Sequence, residues 1–385
     1  MPDWLAVETE LPLEVTTPVL AVGAETKGVF CLAHGRRAWV SIDHGALTAA
    51  ESFRAFRRNI TQAQDELRTE AELVARDLHP GYVSTGFARA MGSRECVVQH
   101  HHAHIAACMA ENGFLDPVVG VCCDGAGCGE DKASWGCEVL RVTPTAFRRV
   151  AHLKYFGLPG ADAAATQCWR PAFSLARQAF GADFPDDVSR AFEGVEEEHR
   201  QITDRMLARG VQCPRTSSLG RLFDAVAYLL GVCRTNTHEG QAACELQAAA
   251  ESATSSAVAL DVAFTETASA TEIDFGPAIR ELFRRSREGA DVARLAADFH
   301  ETIASALARA ALEESRCSGV DTVALSGGCF ANRLLAGRLA ELLRREGFRV
   351  LEHKTVSSGD AGVPLGQVLV AAARQVWISP KGVTS

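Results

Sequence analysis

The order strand, strand, strand, helix occurs twice in this 385-residue sequence, and this repetition limits the fold more than any other feature. Apolar runs bounded by turn residues predict strands, whereas apolar residues three and four positions apart predict helices. The first unit has predicted strands at 19–23, 28–33, 37–42 and 96–99 and predicted helices at 50–76 and 100–112. A sheet with helices packed on it is the structure that such a unit forms, so we expect an α/β lobe here.

A second unit follows the first and is interrupted by a long helical segment. Its predicted strands lie at 118–124, 133–142, 148–153, 322–325 and 349–352, and its predicted helices at 332–346 and 362–374. Residues 160–260 are rich in Ala and Leu and are too long for a simple crossover, which favours an insertion. We therefore expect an α/β protein with a polar lead-in at 1–17, a first lobe at 18–115, and a second lobe at 116–378 with a helical insertion at about 160–260.

The composition excludes several classes of protein. Hydrophobic residues make up 47% of the chain and charged residues 23%, which is typical of a packed enzyme. The 48 acidic and 39 basic residues form no long run of one sign, so a nucleic-acid surface is not expected. No signal peptide and no run of about 18 apolar residues is present, which predicts a cytoplasmic protein without a membrane partner. The 13 cysteines include no C-x-x-C pair, which disfavours a zinc ribbon.

A cluster of histidines is the strongest chemical signal. Four of the six residues in QHHHAH, at 99–104, are histidines, and on a helix His100 and His104 lie one turn apart on the same face. A single histidine is more often an ordinary core or surface residue, but this density favours a metal. Asp124, at the end of a predicted strand, and Asp360, in SGDAG, are the candidate carboxylate ligands. Two imidazoles and two carboxylates suit Fe(II), Zn or Mg, and the sequence does not choose among them.

Two glycine-rich segments follow predicted strands. DGAGCG begins at Asp124, and SGG covers Ser326, Gly327 and Gly328. Backbone N–H groups in such turns can approach phosphate oxygens that a Cβ atom would keep away. A tight turn without any ligand is the alternative for each segment taken alone. The chain contains no Walker A motif and no dinucleotide fingerprint, so P-loop and dinucleotide-binding folds are disfavoured.

Taken in order, the motifs of this chain resemble one family. They are LAVGAETKGVFCL, ARDLHPGYVST, VQHHHAHIAA, GVCCDGAGCGED, LPGADAA, TSSLGRLFDAVAYLLG, HEGQAACEL, VALSGGCFANRLL and GDAGVPLGQ. They are similar to the C-terminal, ATP-binding domain of HypF, the carbamoyltransferase of [NiFe]-hydrogenase maturation. More distantly, they resemble TobZ-type O-carbamoyltransferases and tRNA threonylcarbamoyl transferases. The resemblance implies an actin/hexokinase-like (ASKHA) pair of RNase H-like lobes with ATP or an acyl-adenylate between them.

The resemblance also implies roles for particular residues. The family's metal ligands fall on His100, His104, Asp124 and Asp360, and its nucleotide contacts fall on Asp224, Gly240, Gly328 and Asn332. Asp224 is expected at the ribose. Asn332 has a second interpretation, as the N-cap of the helix that follows it. Lys27 and Arg221 are candidate phosphate contacts, with a solvated surface charge as the alternative.

The chain departs from the family pattern at several places. TQCWR at 166–170 stands where HypF proteins carry REPWR, Ala161 replaces a glycine, His238 replaces a tyrosine, and Gly359 replaces an asparagine. Full HypF proteins also carry an acylphosphatase domain, a double zinc finger and a YrdC-like domain, none of which matches this sequence. We therefore expect a natural short form or an excised domain that needs carbamoyl-adenylate supplied to it.

The implied reaction moves the carbamoyl group of carbamoyl-adenylate to the C-terminal cysteine thiol of a HypE-like partner. His101 or His102 is the candidate base for that thiol, although a histidine beside metal ligands is more often a supporting donor. A separate YrdC-like or acylphosphatase-containing protein is the expected source of the adenylate. Two other functions stay open: O-carbamoyl transfer to a sugar or antibiotic hydroxyl, and a non-catalytic nucleotide-binding docking subunit.

Overall fold

The computed structural model describes residues 2–182 and 185–378, which form two β-sheets with helices between and around them. The first sheet has the strand order β2-β1-β3-β4. Its unit contains β1 (Leu5–Ala21), β2 (Cys31–Ser41), α1 (Ala50–Leu67), β3 (Leu73–Asp77), α2 (Val83–Ala90), β4 (Arg94–Val98) and α3 (His100–Glu111). Strands β1 and β2 are antiparallel, and β3 and β4 continue the sheet in parallel with β1.

The second sheet has nine strands, with the main order β10-β11-β7-β6-β5-β12-β13 and the short strands β8 and β9 beside β6. Its strands are β5 (Val118–Cys128), β6 (Ser134–Val142), β7 (Phe147–Leu153), β8 (Phe156–Gly157), β9 (Arg215–Thr216), β10 (Ala263–Glu266), β11 (Thr271–Asp274), β12 (Thr322–Ser326) and β13 (Arg349–Leu351). The α/β architecture with two sheets agrees with the predicted pair of lobes.

The helices of the second unit fall into two groups. Those of the insertion are α4 (Ala163–Thr166), α5 (Trp169–Phe180), α6 (Asp186–Arg190), α7 (Glu197–Arg209), α8 (Leu219–Leu229) and α9 (Gln241–Glu251). Those that follow are α10 (Gly276–Arg287), α11 (Val292–Ser318), α12 (Arg333–Arg345) and α13 (Val363–Ile378), with single 3₁₀ turns at Gly328–Ala331 and Asp360–Gly362. In the part of the chain that the structure describes, no helix is long and apolar enough to cross a membrane.

The predicted polar lead-in at 1–17 is wrong, because residues 5–17 belong to strand β1 of the first sheet. Strand β1 begins at Leu5, and Trp4, Leu11 and Val15 are buried with 1% exposure or less. Glutamate and threonine alternate with apolar residues here, and such alternation is typical of a strand with one buried face. The frequent polar residues therefore mark the outer face of an antiparallel hairpin.

Two further predictions about the first unit need correction. The runs 28–33 and 37–42 lie on a single strand, β2, which is bent where Gly35 takes a φ of +59° and the register with β1 shifts. The predicted helix at 50–76 ends at Leu67, and residues 73–77 form β3, all five of which are buried. A short run buried on both faces has no periodicity that separates it from a buried helix.

Helices α3 and α13 pack against each other where the two sheets meet. Gly366 of α13 faces the backbone of α3 so closely that a Cβ atom there would lie 1.8 Å from the carbonyl oxygen of Ala103. Residues of α13 share a hydrophobic cluster with β1, β2 and α3. The last helix of the chain therefore helps to hold α3, whose first turn carries the histidines, against the sheets.

Candidate metal centre and nucleotide site

The first turn of α3 presents two histidines to one point. The side chain of Gln99 caps the helix by accepting a hydrogen bond from the backbone N–H of His102 at 2.9 Å. The Nε2 atoms of His100 and His104 lie 3.2 Å apart, and both residues are buried. Two ring nitrogens facing each other at this distance suit a shared cation, as their spacing on the helix predicts.

Two carboxylates complete the cluster. Asp124 Oδ2 lies 3.3 Å from His100 Nε2 and 3.6 Å from His104 Nε2. Asp360 Oδ1 lies 3.4 Å from His100 Nε2 and 3.5 Å from His104 Nε2, and the four ligand atoms all lie within 4.8 Å of one another. These separations are longer than charge-assisted hydrogen bonds of about 2.7–2.9 Å. They are close to the edge of about 3.4 Å of a tetrahedron whose ligands lie about 2.1 Å from a metal. The donor set therefore fits a divalent metal.

The remaining polar atoms of three ligands are held by other groups. Asp77 Oδ2 lies 2.8 Å from His100 Nδ1, so it fixes the ring with Nε2 toward the cluster. Thr26 Oγ1 donates to Asp360 Oδ2 at 3.0 Å, and Gly328 N donates to Asp124 Oδ1 at 3.0 Å. Each carboxylate thus keeps one oxygen for the cluster. The sequence analysis missed Asp77, although this aspartate ends the buried strand β3.

The electrostatics of these four side chains follow from the same contacts. Burial opposes protonation of His100, but Asp77, Asp124 and Asp360 outweigh it and raise its pKa well above the usual value. Burial also disfavours the charged form of Asp124, yet His100 and His104 lower its pKa well below the usual range. Positive charge at the centre of the cluster is therefore favoured, and a divalent cation supplies it without protons.

The two candidate catalytic histidines lie in different surroundings. His102 Nε2 lies 2.9 Å from the carbonyl oxygen of Thr143, and burial lowers the pKa of His102 to about 4. His101 accepts from Gln99 Nε2 at 3.1 Å through Nδ1, while its buried Nε2 has no hydrogen-bond partner among the described residues. Burial lowers the pKa of His101 well below the usual value. Both rings are therefore neutral, and catalysis by either histidine stays a prediction.

The predicted glycine turn at 124–129 is for the most part a strand, because β5 continues to Cys128. Gly127 makes room for the histidines, since a Cβ atom there would lie 2.6 Å from ring atoms of both His100 and His101. The segment thus serves the metal cluster by close packing. Residues 124–126 lie at an irregularity in the pairing with β6, so a phosphate contact by this segment stays a prediction.

The SGG segment does form a turn, and it touches the cluster. Gly327 has a φ of +109°, and a Cβ atom there would lie 2.2 Å from the carbonyl oxygen of Cys123. Its N–H donates to Ser358 O at 2.8 Å, and the next N–H, of Gly328, donates to Asp124. A single turn therefore lies against the strand that carries Asp124 and the loop that carries Asp360.

The other predicted nucleotide residues surround this turn at different depths. Asp224 is buried on α8, where Asn236 Nδ2 donates to its Oδ1 at 3.0 Å and Arg221 Nε lies 2.6 Å from its Oδ2. Burial raises the pKa of Asp224 despite Arg221. Gly240 precedes α9 with a φ of +75°, and nothing lies within 4 Å of where its Cβ would be.

Asn332 is the N-cap of α12, the alternative that the sequence left open. Its Oδ1 accepts from the N–H of Leu335 at 3.0 Å, and its Nδ2 lies 2.9 Å from His300 Nε2. His300 in turn lines a cavity of about 350 Å³ between α9, α11 and α12. Only the His300 side chain separates Asn332 from this cavity. A nucleotide contact by Asn332 stays a prediction.

Of the two candidate phosphate contacts, Lys27 forms an ion pair with a residue that is distant in the sequence. Its Nζ lies 3.6 Å from Glu239 Oε2, and both side chains are largely exposed. The pair joins the loop after β1 to the segment just before Gly240. Arg221 is instead mostly buried beside Asp224, so it is not a freely solvated charge.

A buried network missed by the sequence analysis supports the TSS segment. Glu138, fully buried on β6, accepts from Ser217 Oγ at 2.5 Å and from Arg149 Nε at 2.5 Å. The Arg149 guanidinium also lies over the ring of Trp135, 3.9 Å from its centroid. The sequence could not predict this network, because Glu138 and Arg149 lie on different strands and Ser217 lies far from both along the chain.

Two sheets with two buried histidines, a buried Asp124 and a partly buried Asp360 beside them are consistent with the Kae1-like class. Residues 14–111 match the family described as "HypF Kae1-like domain". Residues 120–367 match "Carbamoyltransferase, Kae1-like Domain, second subdomain". The chain therefore belongs to the HypF carbamoyltransferase family, a family of enzymes, as the motifs predicted.

Curated relatives differ in how much of them the chain covers. It is 39% identical to the "Carbamoyltransferase HypF homolog" of Cupriavidus necator over 363 residues, which is 92% of this chain and 91% of that protein. It is 35% identical to "Carbamoyltransferase HypF" of Rhizobium leguminosarum over 359 residues, which is 93% of this chain but 45% of that protein. The chain thus spans nearly all of one relative and about half of the other.

Solved structures confirm the fold. Full-length HypF "in the phosphate- and nucleotide-bound form" matches with a TM-score of 0.91 and 33% identity over 96% of this chain and 57% of that one. HypF of T. kodakarensis matches with a TM-score of 0.86 and 29% identity over 96% of this chain and 49% of that one. The chain thus has the α/β fold of these HypF structures.

Proposed function

We propose that this chain transfers the carbamoyl group of carbamoyl-adenylate to the C-terminal cysteine thiol of a HypE-like protein, as a step in [NiFe]-hydrogenase maturation. One observation carries the proposal. Asp124 gives one carboxylate oxygen to the His100–His104 cluster and accepts a hydrogen bond from Gly328 of the SGG turn with the other. Asp124 thus contacts both the proposed metal site and a turn of the type that binds phosphates. Membership of the HypF family supports carbamoyl transfer as the chemistry.

His100, His104, Asp124 and Asp360 are the residues that would hold the metal, and Fe(II), Zn or Mg fits their nitrogen and oxygen donors. A divalent metal supplies Lewis-acid polarisation of a carbonyl or phosphoryl oxygen. Asp77 orients His100, and Thr26 orients Asp360, through the bonds described above. These contacts hold the ligands in place before substrate arrives, which reduces the reorganisation that the reaction requires.

The nucleotide is proposed to lie along the SGG turn. Gly327 and Gly328 let the turn pack directly against β5 and Asp124, where a Cβ atom would come too close, and so place the turn beside the metal cluster. Asp224, Gly240 and Asn332 are proposed further contacts, with Asp224 at the ribose. The full-length HypF structure, which is described as phosphate- and nucleotide-bound and shares this fold, supports nucleotide binding in general.

The transfer itself makes one bond and breaks one. The thiolate sulfur of the partner forms a bond to the carbamoyl carbon, and the bond from that carbon to the phosphate oxygen breaks, so AMP leaves with the electron pair. The thiol proton must first be accepted by a base. In His101 the Nδ1 atom accepts from Gln99 Nε2, so the proton of the neutral ring lies on Nε2, which can donate but cannot accept the thiol proton. In His102 the Nε2 atom donates to Thr143 O, so the lone pair of the neutral ring lies on Nδ1, which has no partner among the described residues, and His102 is the proposed base of the two.

The reaction is tested with purified chain, a HypE-like protein and synthetic carbamoyl-adenylate. We expect mass spectrometry to detect one added carbamoyl group on the terminal cysteine, and no addition with the His104→Ala variant. Carbamoyl phosphate and ATP should give no product until a YrdC-like or acylphosphatase-containing protein is added. Absence of modification with adenylate supplied would reject the proposal. Modification of an added sugar alcohol instead would favour O-carbamoyl transfer.

A further inference from the structure

Glu111, the last residue of α3, is the centre of a hydrogen-bonded chain that the proposed chemistry does not use directly. Its Oε2 lies 3.1 Å from His353 Nδ1, and His353 Nε2 lies 2.9 Å from Ser326 Oγ. The side chains of Glu111 and His353 are only 4% and 7% exposed. This series of hydrogen bonds therefore links the end of α3, the helix that carries His100 and His104, to the first residue of the SGG turn.

The same carboxylate also anchors the loop that leads to Asp360. Glu111 Oε1 accepts from the N–H and the Oγ1 of Thr355, the latter at 2.7 Å, and from the N–H of Val356 at 3.0 Å. Hydrogen bonds from these groups, together with His353, hold the pKa of Glu111 well below its usual value although burial opposes this. Glu111 is thus a charged carboxylate that fixes one end of the loop.

The other end of the loop is fixed by the SGG turn. Ser358 O accepts from Gly327 N at 2.8 Å and from Ser326 Oγ at 3.3 Å. Asp360 follows two residues later. A shift of the turn when it meets a phosphate therefore moves the loop that carries a metal ligand, and a shift of that ligand moves the turn.

The order carboxylate, imidazole, hydroxyl is that of a nucleophilic triad, but a nucleophile must be reached by its substrate. Ser326 is fully buried, and its hydroxyl is already shared between His353 and Ser358. The arrangement instead suits a structural role, in which the hydrogen bonds hold the SGG turn and the loop before Asp360 in fixed relative positions.

We infer that Glu111 is a positioning residue which, through His353 and Ser326, couples the binding of the divalent metal to the binding of the nucleotide phosphate. The inference rests on the proposed function, because it assigns the metal to the His–Asp cluster and the phosphate to the SGG turn. Coupling of two ligands is reciprocal, so each should raise the affinity of the other by the same factor.

The test measures this factor by calorimetry, with Zn²⁺ alone, AMP alone, and AMP added to protein holding one equivalent of Zn²⁺. For the parent we expect the metal to raise AMP affinity roughly tenfold, within the usual range of such coupling. In Glu111→Gln and in Ser326→Ala the factor should fall to less than about half of the parent's, and the part that remains is carried by the direct contact of Gly328 with Asp124. Glu352→Gln is the matched control, since Glu352 precedes His353 but uses its carboxylate for an exposed ion pair with Arg344. It should keep the parent's factor.

Several outcomes would overturn the inference. Variants that fold, as judged by thermal unfolding, and keep the parent's factor would leave Glu111 a merely structural residue. A parent that binds Zn²⁺ and AMP without coupling would also overturn it, while the proposed function stands. A parent that binds neither would overturn both. If Ser326→Ala abolishes carbamoyl transfer and leaves the coupling factor unchanged, the serine is a nucleophile and the inference fails.

Discussion

Asp77 Oδ2 lies 2.8 Å from His100 Nδ1 in the interior of the protein, and both residues have no exposed surface. Such a carboxylate behind a ligand histidine fixes the ring and raises its basicity as a ligand. Asp77 Oδ1 also accepts from the N–H of His79 at 2.8 Å, so the carboxylate is itself held in place. The affinity of the cluster for a metal should therefore depend on Asp77, which is not itself a ligand.

We therefore expect Asp77→Asn to keep the metal site but to weaken it by about 10- to 100-fold, the usual effect of losing such a contact. Competition with a chelator of known affinity measures the change. Asp65→Asn, at an exposed carboxylate on α1, is the control and should bind as the parent does. Equal affinity for Asp77→Asn and the parent would mean that His100 is oriented without Asp77.

The ligand set itself is tested by His104→Ala. The parent should purify with about one divalent metal per chain, because two imidazoles and two carboxylates converge on one point. His104→Ala removes one of the two nitrogen donors and should lose most of that metal by elemental analysis. His34→Ala, at an exposed histidine on β2, should retain it. Stoichiometric metal at parental affinity in His104→Ala would exclude the proposed ligands.

At position 327 glycine is required because a side chain would clash with a neighbouring backbone. At position 240 glycine is required only because φ is positive. Alanine at 327 would place Cβ 2.2 Å from a backbone oxygen at a φ of +109°, whereas at 240 it would meet nothing within 4 Å. We expect Gly327→Ala to lower the free energy of unfolding by more than about 3 kcal/mol. Gly240→Ala should lower it by about 1–2 kcal/mol. Urea denaturation of both variants measures this, and equal losses would contradict the close approach at 327.

His102 should make the stability of the protein depend on pH. Burial lowers the pKa of its folded form from 6.5 to about 4. Between those values the unfolded imidazole binds a proton and the folded one does not, so stability falls as pH falls from about 6.5 to about 4. The loss from this residue is on the order of 3 kcal/mol.

His102→Gln tests this, because glutamine can still donate to Thr143 O but does not titrate. We expect the variant to be less stable than the parent at pH 7.5. The difference in free energy of unfolding should shrink as the pH approaches 4. A difference that is constant across this range would show that His102 does not titrate as its burial requires.

The sequence by itself determined those features that depend on neighbouring residues. The pair His100 and His104 is fixed by helical spacing, and the repeated order of strands and helices sets two α/β lobes. Asn332 as a helix cap was open from the sequence for the same local reason. The motifs, read in order, also identified the family. None of these inferences needed a contact between distant parts of the chain.

Only the tertiary structure decided which distant residues meet. Asp77 joins the cluster because β3 ends beside α3, and Glu111 joins the loop before Asp360 because α3 ends there. The lead-in proved to be strand β1 because its polar residues lie on the outer face of a hairpin, which depends on pairing with β2. Likewise, β5 continues through most of DGAGCG because Gly127 and Cys128 pair with β6. Local propensity is weak at such positions, so the long-range partner determines the structure.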